Sequence, residues 1–450
     1  MPDPGAPTPT LARRLGAFDA TMIVMGGIIG AGIFANPANV VRRVGSGELA
    51  LLAWGIGGAL ALIGSFVYAE LAQRAPGGGG QYAYLRDAFH PLVAFLYGWT
   101  LLLVVQTGGM AGAAMIFARY AREIGGLAIP ANVLAVGTLL ILTAINCVGV
   151  RAGSNVQSAL MLLKLAAIVA LIGAGLFIAA RWAPAPAGAH AIEAAGRPGS
   201  LLGALVPIMF AYGGWQTASF VSAEMRDPRR DLPRGLLIGV TGVVIVYLLV
   251  NVACLRVLGS AGLAASTTPA ADVMRIALGE PGARLISLGI AISTVGFLSQ
   301  SVLTAPRVYH QMASDGLFFR AVATVHPVTR VPVAAIVLQG MWASLIALTG
   351  QYDRILDYVV SIDVLFFGLT AAALFVFRRR QGDATSTRVP LHPVTTALFV
   401  ATCWAIALST AIESREARLG FAILAAGVPV YFAWARRQGP TTTSRSASAE

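Results

Sequence analysis

Long apolar stretches dominate the chain, recurring from residue 17 almost to the C-terminus with short polar segments between them. Each stretch is about 20 residues long, enough for a helix to cross a hydrocarbon core roughly 30 Å thick. They lack the two-residue alternation of barrel strands, and backbone groups in lipid must be bonded internally, so the pattern predicts an all-α integral membrane protein. Its twelve predicted transmembrane helices, here called spans 1 to 12, lie near residues 17–41, 48–73, 91–120, 129–148, 156–180, 200–225, 233–256, 284–313, 332–350, 354–377, 393–412 and 418–435.

The composition supports this class. Hydrophobic residues make up 57% of the 450 positions and charged residues 12%, against roughly half and a quarter in ordinary globular proteins. A soluble multidomain enzyme is therefore excluded. We predict one transmembrane domain over residues 17–436, with an N-terminal tail at 1–16 and a C-terminal tail at 437–450.

The basic residues predict the orientation of the chain. A net charge of +12 could indicate a nucleic-acid partner in a soluble protein, but here the charges lie between the apolar runs, and no such partner is predicted. Basic residues accumulate in short cytoplasmic loops. The densest clusters, at 226–234 and 378–380, fall on the side of the N-terminus. Both tails should therefore be cytoplasmic, in a multi-pass protein of a bacterial inner (plasma) membrane.

Metal and cofactor sites have no support in the sequence. Cys147, Cys254 and Cys403 are isolated within apolar segments, and the five histidines are scattered. Neither set has the spacing of metal ligands or of a disulfide framework. We therefore expect no metal and no cofactor.

Glycine clusters interrupt spans 1 and 6. Span 1 has four glycines within residues 26–32, and span 6 has Gly213 and Gly214 near its middle. Glycine weakens a helix by about 1 kcal/mol and permits a positive φ, so both clusters favour a break. Broken helices at matching positions of two halves are typical of a midplane binding site in a transporter. Spans 1–5 and 6–10 would then form two repeats of opposite orientation.

Two other interpretations apply to these glycines. They could let helices pack closely, as small residues do in membranes, although this accounts for one cluster better than both. Residues 30–35 also fit a dinucleotide-binding fingerprint, but they lie inside an apolar span with no preceding strand, which rejects that interpretation.

Lys164 is the only lysine of the chain and lies in the apolar run of span 5. An ionisable group inside a membrane span is costly and normally faces the bundle interior or a water-filled cavity. Lysine, unlike arginine, can also lose its proton when desolvated. Lys164 could therefore be a fixed ammonium that replaces a coupling cation, or a proton carrier; the alternative is that it snorkels to the interface.

Asp363, Glu70 and Glu224 are three of the acidic residues that lie within or beside the spans. Asp363, in span 10, is equally compatible with a solvated carboxylate and a functional one. For Glu70 and Glu224, at inner helix ends, we expect ion pairing rather than contact with a substrate.

Four segments, 27–34, 68–84, 210–215 and 224–233, resemble the amino acid-polyamine-organocation superfamily, near its L-type amino acid transporter branch. The resemblance follows nearly the whole chain in order. It implies the inverted-repeat fold of the bacterial leucine transporter, with spans 11 and 12 outside the repeats.

The resemblance also implies a substrate site at the two helix breaks. The substrate carboxylate would meet backbone N–H groups at the span 1 break, and the ammonium would meet carbonyl groups of Ile28, Phe210, Ala211 and Gly213. The expected substrate-binding residues are Ile28, Ile29, Gly30, Ala31, Gly32, Phe210, Ala211, Tyr212, Gly213 and Gln216.

Two positions depart from related sequences. Ala31 stands where many relatives have serine, so the backbone alone would have to bind the carboxylate. Gln216 stands where some eukaryotic relatives have asparagine. The substrate ranges of those relatives are therefore a poor guide to the substrates of this protein.

Lys164 matches a span 5 lysine that, in sodium-independent members, takes the place of a sodium ion and bridges spans 1 and 8. Its implied partners are Gly26, Ser299, Ser301 and Thr304.

The sequence thus predicts a secondary-active, sodium-independent amino acid transporter, not an enzyme, that works by alternating access as an exchanger. A neutral substrate side chain is favoured because no acidic residue can be assigned to the two breaks, and a buried cation needs a partner. The alternatives are a proton-coupled symporter, or a transporter of cationic amino acids or polyamines if Glu48 or Asp363 reaches the cavity. Phe210, beside the second break, is expected to gate it. The expected partners are the amino acid and membrane lipid, and the oligomeric state stays open.

A channel and an intramembrane enzyme are the competing classes. No charged ring or repeated filter sequence supports a channel. No catalytic pair is evident within the spans to support an enzyme.

Overall fold

The computed structural model describes residues 15–30, 32–76, 79–125, 128–148, 153–179, 201–222, 225–326, 329, 331–349, 352–382 and 385–438. Within these ranges the regular structure is helical, apart from one isolated bridge between Leu15 and Met225. The all-α prediction is confirmed for this part of the chain. Most of both predicted tails, and Ala31 and Glu224, lie outside the described residues.

Seventeen α-helices follow one another along the described chain. They are α1 (Ala17–Ile28), α2 (Gly32–Val44), α3 (Gly47–Arg74), α4 (Gln81–Ala88), α5 (Pro91–Thr100), α6 (Gln106–Gly125), α7 (Ala131–Val148), α8 (Gly153–Gly173), α9 (Leu201–Tyr212), α10 (Thr217–Phe220), α11 (Pro228–Ala265), α12 (Pro269–Thr304), α13 (Pro306–Ser314), α14 (Val333–Thr349), α15 (Tyr352–Gln381), α16 (Val394–Glu413) and α17 (Arg415–Gln438). A π-helical segment, Leu101–Val105, joins α5 to α6, and another, Ala174–Ala179, follows α8.

Eight helical stretches in the described residues are long and apolar enough to cross a membrane. They are Gly47–Arg74, Pro91–Arg122, Met161–Ile178, Pro228–Ala265, Pro269–Ser314, Arg354–Gln381, Val394–Glu413 and Arg415–Trp434. The pair α1 and α2, bent by 44° at its break, is also long and apolar enough to cross a membrane when the two helices are taken as one stretch. Three shorter apolar helices accompany them: Ala131–Cys147, Leu201–Tyr212 and Val333–Thr349.

Two long helices extend beyond their predicted bounds. The helix predicted at 233–256 runs from Pro228 to Ala265 with a kink at Gly259, and that predicted at 284–313 already begins at Pro269, with a kink at Gly279. Both kink glycines have a positive φ, which glycine adopts without steric cost. In both cases a second helical segment adjoins the predicted one across the kink.

The broken helix pair α1 and α2 lies at the centre of the packing. Helix α11 packs against α1 and α3, α2 packs against α9, and α9 also contacts α15. Helix α12 packs against α6 and α8. Elements far apart in sequence therefore meet around the first glycine cluster, where a binding site was predicted.

The outer surface of the helical bundle is apolar. Phe177 and Leu285, for example, expose 69% and 66% of their surface. Extensive exposed apolar surface indicates contact with a nonaqueous environment, as expected of a membrane-spanning protein.

Candidate substrate site at two helix breaks

The first break lies between Ile28, where α1 ends, and Gly32, where α2 begins. Carbonyl groups in the last turn of a helix have no N–H partner further along that helix. At this break, two side chains donate hydrogen bonds to such carbonyl groups. The Tyr247 hydroxyl donates to the Ile28 carbonyl at 3.0 Å, and Lys164 Nζ donates to the Ile29 carbonyl at 3.1 Å. The glycine-rich segment is thus broken, as the sequence predicts.

The second break covers residues 213–216, between α9 and α10. Gly214 has a φ of +112°, a conformation that residues with a side chain rarely adopt. Its N–H group donates to Gln216 Oε1 at 2.9 Å, and its carbonyl group accepts from the Thr217 hydroxyl at 2.7 Å. Short-range bonds therefore stabilise the turn in place of a continuous helix.

The two breaks touch each other through their backbones. A Cβ atom added at Gly214 would lie 2.2 Å from the carbonyl oxygen of Gly27, and one added at Gly32 would lie 3.0 Å from Ala211 Cα. Glycine is required at position 214 because of its positive φ and because the backbone of the first break lies so close. The glycines therefore both break the helices and let them pack closely, which are the two interpretations given from the sequence.

A cavity lies against both breaks. The cavity has a volume of about 80 Å³, smaller than the roughly 300–1,000 Å³ typical of small-molecule sites. Eight of the predicted residues line it: Ile28, Gly30, Gly32, Phe210, Gly213, Gln216, Ser301 and Thr304. The sequence therefore identifies residues that the fold brings together from three separate segments.

Other predicted residues lie near the breaks but not on the cavity wall. Ile29 and Ala211 are buried, and Tyr212 packs its ring against Trp54 and Tyr247. Gly26 is buried in α1, and Ser299 is half-buried in α12. None of these five residues is among the described residues that line the cavity.

Lys164 is 2% exposed and reaches the first break from α8. It therefore does not snorkel to a surface of the bundle, which was the alternative interpretation. Among its implied partners, Thr304 donates its hydroxyl proton to the Gln300 carbonyl in its own helix. The hydrogen bond found for Lys164 is to Ile29, adjacent to the Gly26 region.

Sequence reasoning missed several residues of the cavity wall. Gln106 and Gly109 come from α6, Phe297 and Gln300 from α12. The Phe297 ring lies beside Gly30, because a Cβ atom there would be 3.2 Å from Cδ2. These residues lie far from the glycine clusters in sequence, and only the packing of α6 and α12 brings them to the site.

Asp363 also lies on the cavity wall, together with Val359, Val360, Val364 and Phe367 of α15. This three- and four-residue spacing marks one helix face and could have indicated its orientation. Glu48, by contrast, is exposed at the start of α3. The sequence argument for a neutral substrate assumed that no acidic residue belonged to the site, and this premise does not hold in the structure.

Comparisons with known proteins extend along nearly the whole chain. The sequence matches the family described as amino acid permease over residues 15–434. The large neutral amino acids transporter small subunit 2 of Mus musculus is 31% identical over 437 residues, which cover 94% of this chain and 81% of the relative. The serine/threonine exchanger SteT of Bacillus subtilis is 29% identical over 440 residues, covering 95% and 98%. The Asc-type amino acid transporter 1 of Homo sapiens is 30% identical over 434 residues, covering 94% and 82%.

Proposed function

Because this chain belongs to the amino acid permease family, we propose that it is a sodium-independent exchanger of neutral amino acids that works by alternating access. The observation that carries the proposal is the cavity shared by two broken helices. The names of the relatives support the substrate class, since they include a transporter of large neutral amino acids and a serine/threonine exchanger.

The proposed topology has twelve spans in two inverted repeats of five, followed by two further helices. In the described residues, eight long apolar helical stretches, one broken pair and three shorter apolar helices support this count. The two breaks fall in the first and sixth predicted spans, which would open the two repeats. Five spans per repeat is an odd number, so the second repeat would run through the membrane in the opposite orientation.

In this proposal the substrate binds with its backbone groups against the breaks. Helix α2 begins at Gly32. The N–H groups and the helix dipole at this N-terminus favour binding of the substrate carboxylate. Carbonyl groups of Ile28, Phe210 and Gly213, three residues of the cavity wall, would accept hydrogen bonds from the ammonium group. With Ala in place of Ser at position 31, the backbone supplies the carboxylate contacts.

Lys164 would replace a coupling sodium ion. Its side-chain nitrogen donates a hydrogen bond to the carbonyl oxygen of Ile29. A bound sodium ion would attract the same kind of oxygen. Ser301 and Thr304, on the cavity wall, would complete the bridge to α12 during the cycle. Exchange without sodium would follow, because the positive charge is covalently part of the chain.

Both termini would lie in the cytoplasm, since this places the arginine clusters at 226–234 and 378–380 on that side. A bacterial plasma membrane is the proposed location, and the similarity to an exchanger of Bacillus subtilis supports it.

Counterflow in proteoliposomes tests the function. Vesicles preloaded with one unlabelled amino acid would receive a panel of labelled ones, with and without sodium and with and without an imposed proton gradient. We expect saturable, sodium-independent counterflow of neutral amino acids. Accumulation that follows the proton gradient would instead support symport, and transport restricted to basic amino acids or polyamines would support the other alternative. Strict sodium dependence would contradict the proposal.

Two glycine substitutions test the site itself. Gly30→Leu would press against the Phe297 ring, and Gly213→Leu would press against the Met209 carbonyl oxygen, 2.9 Å from the added Cβ atom, beside Asp363. Both should abolish binding of the transported amino acid while leaving folded protein. Gly137→Leu is the matched control, because a Cβ atom there meets nothing within 4 Å. Unchanged affinity in both site variants would contradict the assignment.

A further inference from the structure

Asp363 is the one ionisable side chain among the described residues that line the cavity. None of the other described residues on that wall is a lysine, an arginine or a histidine. A cavity with a single carboxylate and no cationic side chain of its own is complementary to a positively charged ligand group.

The carboxylate lies beside the second helix break. A Cβ atom placed on Gly213 would be 3.8 Å from Asp363 Oδ2. The carbonyl groups of this break are among those proposed to accept hydrogen bonds from the substrate ammonium. Asp363 and these carbonyl oxygens therefore present negative charge to the same region of the cavity.

Asp363 differs from Asp357 in its surroundings. Asp357, six residues earlier on the same helix, pairs with Arg43 at 3.3 Å. For Asp363, by contrast, no hydrogen bond or ion pair is found within the described part of the chain. Asp363 is half-buried, and a carboxylate partly withdrawn from water is less stable unless a cation or hydrogen-bond donor compensates it. The partner can come from the substrate.

We propose that the carboxylate of Asp363 binds the α-ammonium group of the transported amino acid. This inference rests on the proposed function of amino acid transport. It also explains how an acidic cavity wall is compatible with neutral substrates. The negative charge of Asp363 would pair with the α-ammonium group, which every amino acid carries. The substrate carboxylate then binds at the N-terminus of α2, and the zwitterion has an opposite charge or dipole at each end.

The proposal makes the α-amino group the main determinant of recognition. A ligand without this group, such as the 2-hydroxy acid with the same side chain, leaves Asp363 unpaired and adds a second negative charge to the cavity. The wild-type protein should therefore bind the 2-hydroxy acid much more weakly than the amino acid.

The experiment compares four ligands and three proteins. Binding of a transported neutral amino acid, its 2-hydroxy analogue, lysine and arginine is measured by calorimetry on purified wild type, Asp363→Asn and Asp357→Asn. We expect Asp363→Asn to weaken binding of the amino acid by at least about tenfold, and to leave or strengthen binding of the 2-hydroxy acid. Asp357→Asn is the matched control on the same helix, and it should not change the ratio of the two affinities.

The outcomes separate this inference from the proposed function. If wild type binds an amino acid and Asp363→Asn binds it equally well, the ammonium assignment is wrong while the transport function stands. Loss of affinity for lysine and arginine alone would place Asp363 against the substrate side chain, and would also overturn it. If wild type binds no amino acid, both proposals fail. Should Asp363→Asn not fold, Asp363→Glu, which keeps the charge, must retain the preference for the amino acid over the 2-hydroxy acid.

Discussion

Lys164 donates a hydrogen bond from its ammonium group to the carbonyl oxygen of Ile29, with 3.1 Å between the two atoms. Ile29 directly follows the last residue of α1, and the C-terminal end of a helix carries a partial negative charge that a cation stabilises. The lysine thus connects α8 to the point at which the first helix breaks. Both the break and the side chain that donates a hydrogen bond to it come from residues singled out in the sequence.

The first prediction concerns this bond. Lys164→Ala removes the donor and leaves the Ile29 carbonyl buried without it, and losing a charge-assisted hydrogen bond costs about 1.5–3 kcal/mol. The exchange rate in proteoliposomes should fall by about tenfold or more. Leu163→Ala, at the exposed neighbouring position, serves as control and should keep the wild-type rate. Full exchange activity in Lys164→Ala would show that the cycle does not need this charge.

The second prediction concerns the contact between the breaks. Gly214→Ala combines a strained φ with a Cβ atom 2.2 Å from the Gly27 carbonyl oxygen, so either the backbone must move or the two breaks must separate. We expect a loss of stability of more than about 1 kcal/mol, seen as a lower melting temperature in detergent.

The control for this prediction is Gly55→Ala in α3, where a Cβ atom meets nothing within 4 Å. Alanine favours a helix over glycine by about 1 kcal/mol, so this variant should melt at or above the wild-type temperature. If Gly214→Ala and Gly55→Ala had the same melting temperature, the close contact between the two breaks would not contribute to stability.

Hydropathy and glycine clustering were enough to predict the helical class and the position of both breaks. These are local signals, because an apolar run or a group of glycines acts within one helix. Lys164 could be identified for a similar reason, since an ionisable side chain in an apolar span is costly and normally faces the interior of the bundle.

The rest of the cavity could not be predicted because it depends on which helix faces meet. Phe297 and Gln106 enter the wall through the packing of α12 and α6, and no spacing within either helix identifies its neighbour. Tyr212 illustrates the converse. It lies beside a break in sequence, yet its ring packs on Trp54, because successive residues of a helix point in different directions.

The third prediction concerns an ion network at the ends of α3 and α15. Glu70 is fully buried, pairs with Arg74 and Arg378 at 2.8 and 2.6 Å, and accepts a bond from the Val389 N–H group, which confirms the expected ion pairing. Removing one member of a buried pair leaves uncompensated charge and costs about 3–5 kcal/mol. Glu70→Gln should therefore lower the melting temperature strongly.

An exposed pair provides the control for Glu70→Gln. Glu280 pairs with Arg275 at 2.9 Å with 54% of its side chain exposed, and such pairs contribute less than about 1 kcal/mol. Glu280→Gln should leave the melting temperature nearly unchanged. If both variants melt alike, the network is not what holds α3 against α15.

The last prediction concerns Phe210, which lies half-buried on the cavity wall beside the second break. A small rotation of this ring could cover the bound substrate, so Phe210→Ala should slow exchange more than it weakens binding. We expect a several-fold lower maximal exchange rate with a dissociation constant within about twofold of wild type, since a gate stabilises closed states rather than the bound substrate alone. Phe177→Ala removes a ring that is 69% exposed on the outer surface and should change neither value. If Phe210→Ala lowers only the melting temperature, Phe210 is a packing residue and the gate lies elsewhere.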